Sequence, residues 1–160
     1  MLKWGRAMKI LSAGLALLFV GVFGLATSWE AFGLQVLTGT VLGYLGGFAG
    51  AQAGAYLAQA LGWGLIDGVL GPVLAAYVGY AFGSTLGAWV GLTWSGFYLR
   101  IEGDPWFGLL GASAGTALAF FIASFTDWER ALRLGPPLAS LGGALLFTIA
   151  PKAQPSTHSD

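Results

Sequence analysis

The chain has 160 residues, of which 56% are hydrophobic and only 9% are charged, whereas an ordinary soluble domain carries about 25% charged residues. Its seven basic and seven acidic residues cancel, which argues against nucleic acid as a partner. The absence of cysteine excludes disulfides, thiol catalysis and cysteine-ligated metals. The composition predicts an all-α integral membrane protein whose first partner is the lipid bilayer.

Long intervals without charge predict membrane-spanning helices, because a helix needs roughly 20 apolar residues to cross a bilayer core of about 30 Å. In chain order the predicted spans cover residues 8–26, 32–57, 72–94, 106–125 and 137–149. The last is short for a full crossing, so a bundle of four spans remains the alternative to five. Residues 1–150 would form a single helical domain, and the polar residues 151–160 are predicted to be a disordered tail.

The first predicted span has two interpretations. Basic residues, an apolar run and the small-residue site Gly24-Leu25-Ala26 resemble a cleaved secretory signal. Gly14 and Gly21, which lie at heptad spacing, suit a retained and packed helix instead. We favour the retained span.

Basic residues predict the orientation, because lysine and arginine stay on the cytoplasmic side. A cytoplasmic N-terminus places five basic residues inside, against Arg100 and Lys152 outside; the five are Lys3, Arg6, Lys9, Arg130 and Arg133. Most tryptophans fall at predicted helix ends, as expected at membrane interfaces.

Small residues recur at every fourth position, so that each row forms a smooth helix face. Such faces let membrane helices approach closely, and the pattern resembles the glycine-zipper mode of packing, which many unrelated proteins share. The second span carries two rows and is therefore expected to have two neighbours, in the same chain or in another. The rows contain Gly39, Gly43 and Gly47; Gly46, Gly50 and Gly54; Gly79, Gly83, Gly87 and Gly91; Gly111 and Gly115; and Gly135, Ala139 and Gly143.

The stretch Gly111-Ala112-Ser113-Ala114-Gly115 matches the G-x-S-x-G nucleophile elbow of serine hydrolases, in which the serine lies on a sharp strand-to-helix turn. Here the stretch lies within a continuous apolar helix pattern. The sole histidine, His158, is in the polar tail, and no lysine lies within a span to act as a base. We interpret Ser113 as a packing residue and expect no enzymatic activity.

Neutral polar residues are left as candidates for a pathway through the bundle. Gln52, Tyr56, Gln59, Tyr44, Tyr80 and Ser84 are the candidate residues. They either join helices by hydrogen bonds or line a narrow route for a neutral solute, since an unpaired amide costs roughly 2–7 kcal/mol in hydrocarbon. Asp67 is expected to cap the third span, with a role in gating as the alternative.

Two functions follow from this pattern. The favoured function is that of a channel or transporter component for a small solute, and the alternative is a non-catalytic structural or assembly subunit of a larger membrane complex. Both would use the glycine faces for self-association or for contact with a partner protein. No cofactor or metal site is predicted, because the carboxylates lie in scattered loop positions.

Overall fold

The computed structural model describes residues 29–63 and 70–149. The first predicted span, Asp67 and the polar tail lie outside these residues. The described chain forms four α-helices, which are α1 (Trp29–Ala60), α2 (Leu70–Leu99), α3 (Pro105–Ser124) and α4 (Trp128–Ile149). All four are long and apolar enough to cross a membrane.

The first two helices end in the same way, with a residue in the left-handed conformation. Gly62 has a φ of 74°, and the amide of Trp63 behind it donates to the carbonyl of Ala58 at 3.0 Å. Arg100 takes this conformation after α2, with a φ of 54°. A left-handed residue at this place stops a helix while it satisfies one of the last carbonyls.

The last two helices begin at acidic N-caps. Asp104 accepts a hydrogen bond from the amide of Trp106 at 2.8 Å, with Pro105 as the first residue of α3. Asp127 accepts one from the amide of Arg130 at 3.1 Å. Both carboxylates therefore satisfy amides that a helix leaves without an internal partner.

The start of α4 corrects the predicted one. The helix begins at Trp128 rather than at Pro137, so Pro136 and Pro137 lie inside it. The cap at Asp127 and an ion pair between Glu129 and Arg133, one helical turn apart, form its first turns. The added turns make α4 long enough for a full crossing, whereas 137–149 is too short.

The helices pack as two antiparallel pairs. Helix α1 runs along α2, and α3 runs along α4. Helix α4 also contacts both α1 and α2, while α3 touches α2. The centre of the bundle is therefore α4, and one side of the α1–α2 pair faces away from it.

Glycine backbones meet between α1 and α2. A Cβ atom added to Gly46 would overlap the carbonyl oxygen of Gly83, and Gly50 and Gly79 meet in the same way. Further along, the same would happen between Gly54 and the carbonyl oxygen of Ala75, and between Gly87 and that of Leu42; at Gly91 the added Cβ would lie 2.8 Å from the Cα of Gly39. Any side chain here would force the two helices apart.

The other row on α1 turns toward α4 as well as α2. A Cβ on Gly39 would lie 3.0 Å from the Ser140 hydroxyl oxygen, and one on Gly43 would lie 3.0 Å from the Cβ of Pro136. Gly47 meets the ring of Tyr80. The two rows of α1 thus have two neighbours within this chain.

Helices α3 and α4 meet through the predicted small residues in the same manner. A Cβ on Gly111 would overlap the carbonyl oxygen of Gly142, and one on Gly115 would overlap that of Leu138. The close approach is a property of the structure. That the glycine register itself drives association, as in a glycine zipper, stays a prediction.

Candidate functional site

Two adjacent prolines within α4 leave two backbone carbonyls without their helical donors. In an α-helix the amide of each residue donates to the carbonyl four residues earlier, and proline has no N–H. Pro136 therefore leaves the carbonyl of Leu132 without a donor, and Pro137 does the same to that of Arg133.

Two tyrosine hydroxyls from the neighbouring helices replace the missing donors. The hydroxyl of Tyr80 on α2 donates to the carbonyl of Leu132 at 2.6 Å. The hydroxyl of Tyr44 on α1 donates to the carbonyl of Arg133, also at 2.6 Å. We call these two bonds the tyrosine clamp. The clamp fixes α4 to both members of the α1–α2 pair at one level of the bundle.

Packing holds the Tyr80 side chain in place. Gly47 lies against its ring, where an added Cβ would lie 2.7 Å from Cε2. The ring of Phe48 meets it edge-on, with centroids 6.1 Å apart, a favourable geometry for two aromatic rings. Tyr80 is only 3% exposed, so its hydroxyl must have a partner, and the clamp supplies it.

A groove of about 440 Å³ opens beside the clamp. Aromatic and aliphatic side chains line it in equal number, and Glu129 and Arg133 stand at its edge as an exposed ion pair. The two clamp hydroxyls are already committed to carbonyls as donors. The groove therefore offers an apolar surface rather than a polar site.

The structure divides the predicted polar candidates between two places. Tyr80 and Ser84 are buried, and Ser84 donates to the carbonyl of Ala81 at 3.1 Å, while Tyr44 is half-buried with its hydroxyl bonded to α4. The remaining three, Gln52, Tyr56 and Gln59, are exposed on the outer face of α1. A single polar strip through the bundle is therefore not formed by these residues.

Within the ranges 29–63 and 70–149, the three exposed residues make no side-chain hydrogen bond to one another or to any other residue. Tyr56 is 69% exposed. We call Gln52, Tyr56 and Gln59 the outer polar row.

Sequence reasoning missed Gln35, which is fully buried. Its Nε2 donates to the carbonyl of Leu92 at 3.2 Å, while its Oε1 has no hydrogen-bond partner among the described residues. Gln35 stands one helical turn before Gly39, in the row of Gly43 and Gly47. Extending that row backward by one turn would have placed this amide on the inward face.

Other buried polar groups mostly bond to their own helix. Ser140 donates to the carbonyl of Pro136 at 2.7 Å, and Ser95 donates to that of Gly91 at 2.7 Å. An interhelical exception joins the hydroxyls of Thr85 and Thr116 at 2.8 Å. These bonds satisfy the polar atoms without leaving a continuous polar surface.

The G-x-S-x-G stretch lies in the middle of α3, not on a strand-to-helix turn. Ser113 is exposed and donates to the carbonyl of Leu109 at 2.9 Å. In the part of the chain that the structure describes, no three acidic or histidine side chains come together as metal ligands. The geometry of the stretch is that of an ordinary helix.

No protein-family model, no curated protein and no solved structure matches this chain.

Proposed function

We propose that the protein spans a membrane with its N-terminus in the cytoplasm. The support is the presence of four helices with mean hydropathies of 1.3 to 1.7 and lengths of 20 to 32 residues. Within these helices the charged residues stand at the ends, such as Glu30 in the first turn of α1 and Glu129 in the first turn of α4. The orientation rests on the excess of basic residues on one side.

We propose further that it acts as a non-catalytic assembly subunit of a larger membrane complex. The observation that carries this proposal is the outer polar row, which presents two amides and a hydroxyl on the outer face of α1. An amide without a partner costs roughly 2–7 kcal/mol in an apolar medium. Polar groups of this kind commonly join membrane helices, so a helix of another protein would satisfy the row.

Transport of a small neutral solute is the second candidate. A route within one chain has less support, because the inward-facing hydroxyls of Tyr44, Tyr80 and Ser84 are already bonded to backbone carbonyls. The outer polar row favours a different arrangement, in which several copies surround a pathway and each contributes its row to the wall.

Native mass spectrometry of the protein, released from its own membranes in mild detergent, separates the two candidates. We expect a foreign subunit at fixed stoichiometry. The variant Gln52→Leu should lose that subunit while it keeps its own fold, because the substitution removes an exposed amide and buries nothing new. Ser113→Ala is the matched control, since it removes an exposed polar group from α3, and it should retain the subunit.

A wild-type protein that carries no foreign subunit would overturn the assembly proposal. A closed ring of identical copies would then favour transport, and Gln52→Leu should reduce solute flux through it. If Gln52→Leu releases no subunit from a foreign complex, the row is not the contact surface.

A further inference from the structure

An apolar groove runs along the side of the α1–α2 pair that faces away from α4. It consists of two adjoining hollows of about 520 and 620 Å³ that share Leu42. We call it the outer groove and define it by Leu34, Leu42 and Ala53 on α1 and Tyr98, Val90 and Gly83 on α2. Residues of α3 and α4 contribute nothing to its walls.

The outer groove offers apolar surface and little else. Of its three hydroxyl residues, Thr38 donates to the carbonyl of Leu34 at 2.8 Å and Ser95 to that of Gly91 at 2.7 Å, while Tyr98 is exposed at one end. Large side chains along it stay exposed, among them Leu45 at 61% and Trp94 at 65%. An apolar helix with a smooth face fits such a surface.

We propose that residues 8–26 of the same chain form a helix that lies in the outer groove, antiparallel to α1. This segment has no charge between Ile10 and Trp29, and it carries Gly14 and Gly21. Residues two turns apart share a helix face. The two glycines would therefore turn one smooth side toward the groove.

The lengths agree. A helix over residues 8–26 measures about 28 Å at a rise of 1.5 Å per residue. The stretch of α1 that borders the outer groove, from Leu34 to Ala53, also measures about 28 Å. In the register derived below, one helix of this segment would cover the groove from Leu34 to Ala49.

The connection fixes both the neighbour and the direction. Only Thr27 and Ser28 separate the segment from the first residue of α1. A link this short joins helices that pack side by side in opposite directions. It brings Ala26 beside the first turn of α1, where the outer groove begins.

The register that follows is consistent with the groove floor. Counting back from the link puts Gly21 level with Val36 and Gly14 level with Gly43; the groove residues nearest these two levels are Leu37 and Leu42, and the glycine-lined part at Gly46 is one turn further along. Residue 8 comes level with Ala49. The outer polar row lies beyond that level, so it stays open to the partner proposed above.

Cysteine cross-linking tests this placement directly, because the chain contains no cysteine of its own. Leu45→Cys, in the outer groove, is combined in turn with Ile10→Cys, Leu11→Cys, Ser12→Cys and Ala13→Cys. These four positions cover one helical turn at the matching level. After oxidation in native membranes, we expect one or two pairs to lose both free thiols within a single chain.

Leu118→Cys on α3 is the matched control. It lies at a similar level, since Gly115 meets Leu138 on α4 and Gly43 meets Pro136 there. It is also an exposed leucine, outside the groove. Paired with the same four positions, it should keep its thiols, because a disulfide needs Cβ atoms about 3.8 Å apart.

Three results would overturn the proposal. Disulfides between two chains carrying Leu45→Cys alone would assign the groove to a second copy. Free thiols in all four pairs would show that residues 8–26 do not occupy the groove, and the groove would then face lipid. A purified protein whose mass begins after Ala26 would show that the segment is removed. None of these depends on whether a foreign subunit binds the outer polar row.

Discussion

Single hydroxyl groups connect α4 to its neighbours. Each bond of the tyrosine clamp occupies a carbonyl that a proline has deprived of its donor, so its loss would leave that carbonyl bare in an apolar setting. Leaving a buried acceptor unsatisfied costs about 1–3 kcal/mol. The destabilisation on loss of a tyrosine hydroxyl therefore depends on the proline as well as on the tyrosine.

The variant Tyr80→Phe should therefore lower the free energy of unfolding by about 1–3 kcal/mol. In a Pro136→Ala background the same change should cost much less, because the alanine N–H can donate to the carbonyl of Leu132. Denaturant titration in mixed micelles measures all four corners of this double-mutant cycle. Tyr56→Phe, at a 69% exposed tyrosine outside the outer groove, is the control and should have little effect. Equal costs in both backgrounds would refute the compensation.

Gln35 allows the opposite prediction. Because its Oε1 has no partner among the described residues, Gln35→Leu should change the free energy of unfolding by less than about 1 kcal/mol, or raise it. The carbonyl of Leu92 keeps the Ser95 hydroxyl at 3.1 Å. Denaturant titrations of the wild-type protein and of Gln35→Leu measure this change in the free energy of unfolding. A loss above about 2 kcal/mol would mean that Oε1 has a donor in the intact protein.

The clamp also marks a limit of sequence reasoning at this scale. Periodicity places Tyr44 on one helix and Tyr80 on another, yet nothing local pairs them with carbonyls 52 and 89 positions away. Hydrogen bonds between distant residues depend on the packed geometry. Ser113 is different, because its helical surroundings are visible in the sequence itself.

At the scale of helices, the contact between α1 and α2 depends on the lack of side chains. Gly83→Ala should destabilise the protein by roughly 1–3 kcal/mol, since its Cβ has to displace the carbonyl of Gly46. Gly33→Ala in α1 is the matched control. Nothing lies within 4 Å of its added Cβ, so the better helix former should stabilise the protein by up to about 1 kcal/mol.

Unfolding curves of the two alanine variants provide the comparison. If both variants shift stability in the same direction, helix propensity rather than interhelical contact sets the effect. A side-chain rotation cannot relieve the overlap at Gly83, because the atom that the added Cβ meets is the backbone carbonyl oxygen of Gly46.

Helix existence was predictable, whereas one boundary was not. Charge-free intervals locate α1, α2 and α3 to within a few residues of their observed ends. For α4, the prolines and the charged stretch before them indicated a start at Pro137. Proline is unfavourable inside a helix by about 3 kcal/mol, and hydrogen bonds from two other helices contribute to offsetting that penalty.

At the scale of the whole molecule, the proposed orientation predicts which connections face the cytoplasm. The link between α2 and α3 should lie outside, and that between α3 and α4 inside. Glu102 and Thr126 are exposed in these links, so Glu102→Cys should react with an impermeant maleimide on intact cells. Thr126→Cys should react only after permeabilisation. The reverse pattern would invert the topology.

Composition was sufficient to predict helices long and apolar enough to cross a membrane, because only 9% of the residues are charged. Function is a different matter. The outer polar row and the outer groove are surfaces that none of the four described helices covers. Only the packed structure shows which helix faces these are.

The tyrosine clamp has a consequence for biogenesis. In the proposed membrane topology, α4 entering hydrocarbon alone would carry two carbonyls without donors, and it is synthesised after α1, α2 and α3. The hairpin of α1 and α2, already complete by then, holds the two hydroxyls that those carbonyls need. The helices that carry the donors are thus synthesised before the helix that carries the acceptors. In a chain whose α1–α2 hairpin fails to insert, α4 would keep two carbonyls without donors, and we expect quality control to recognise it.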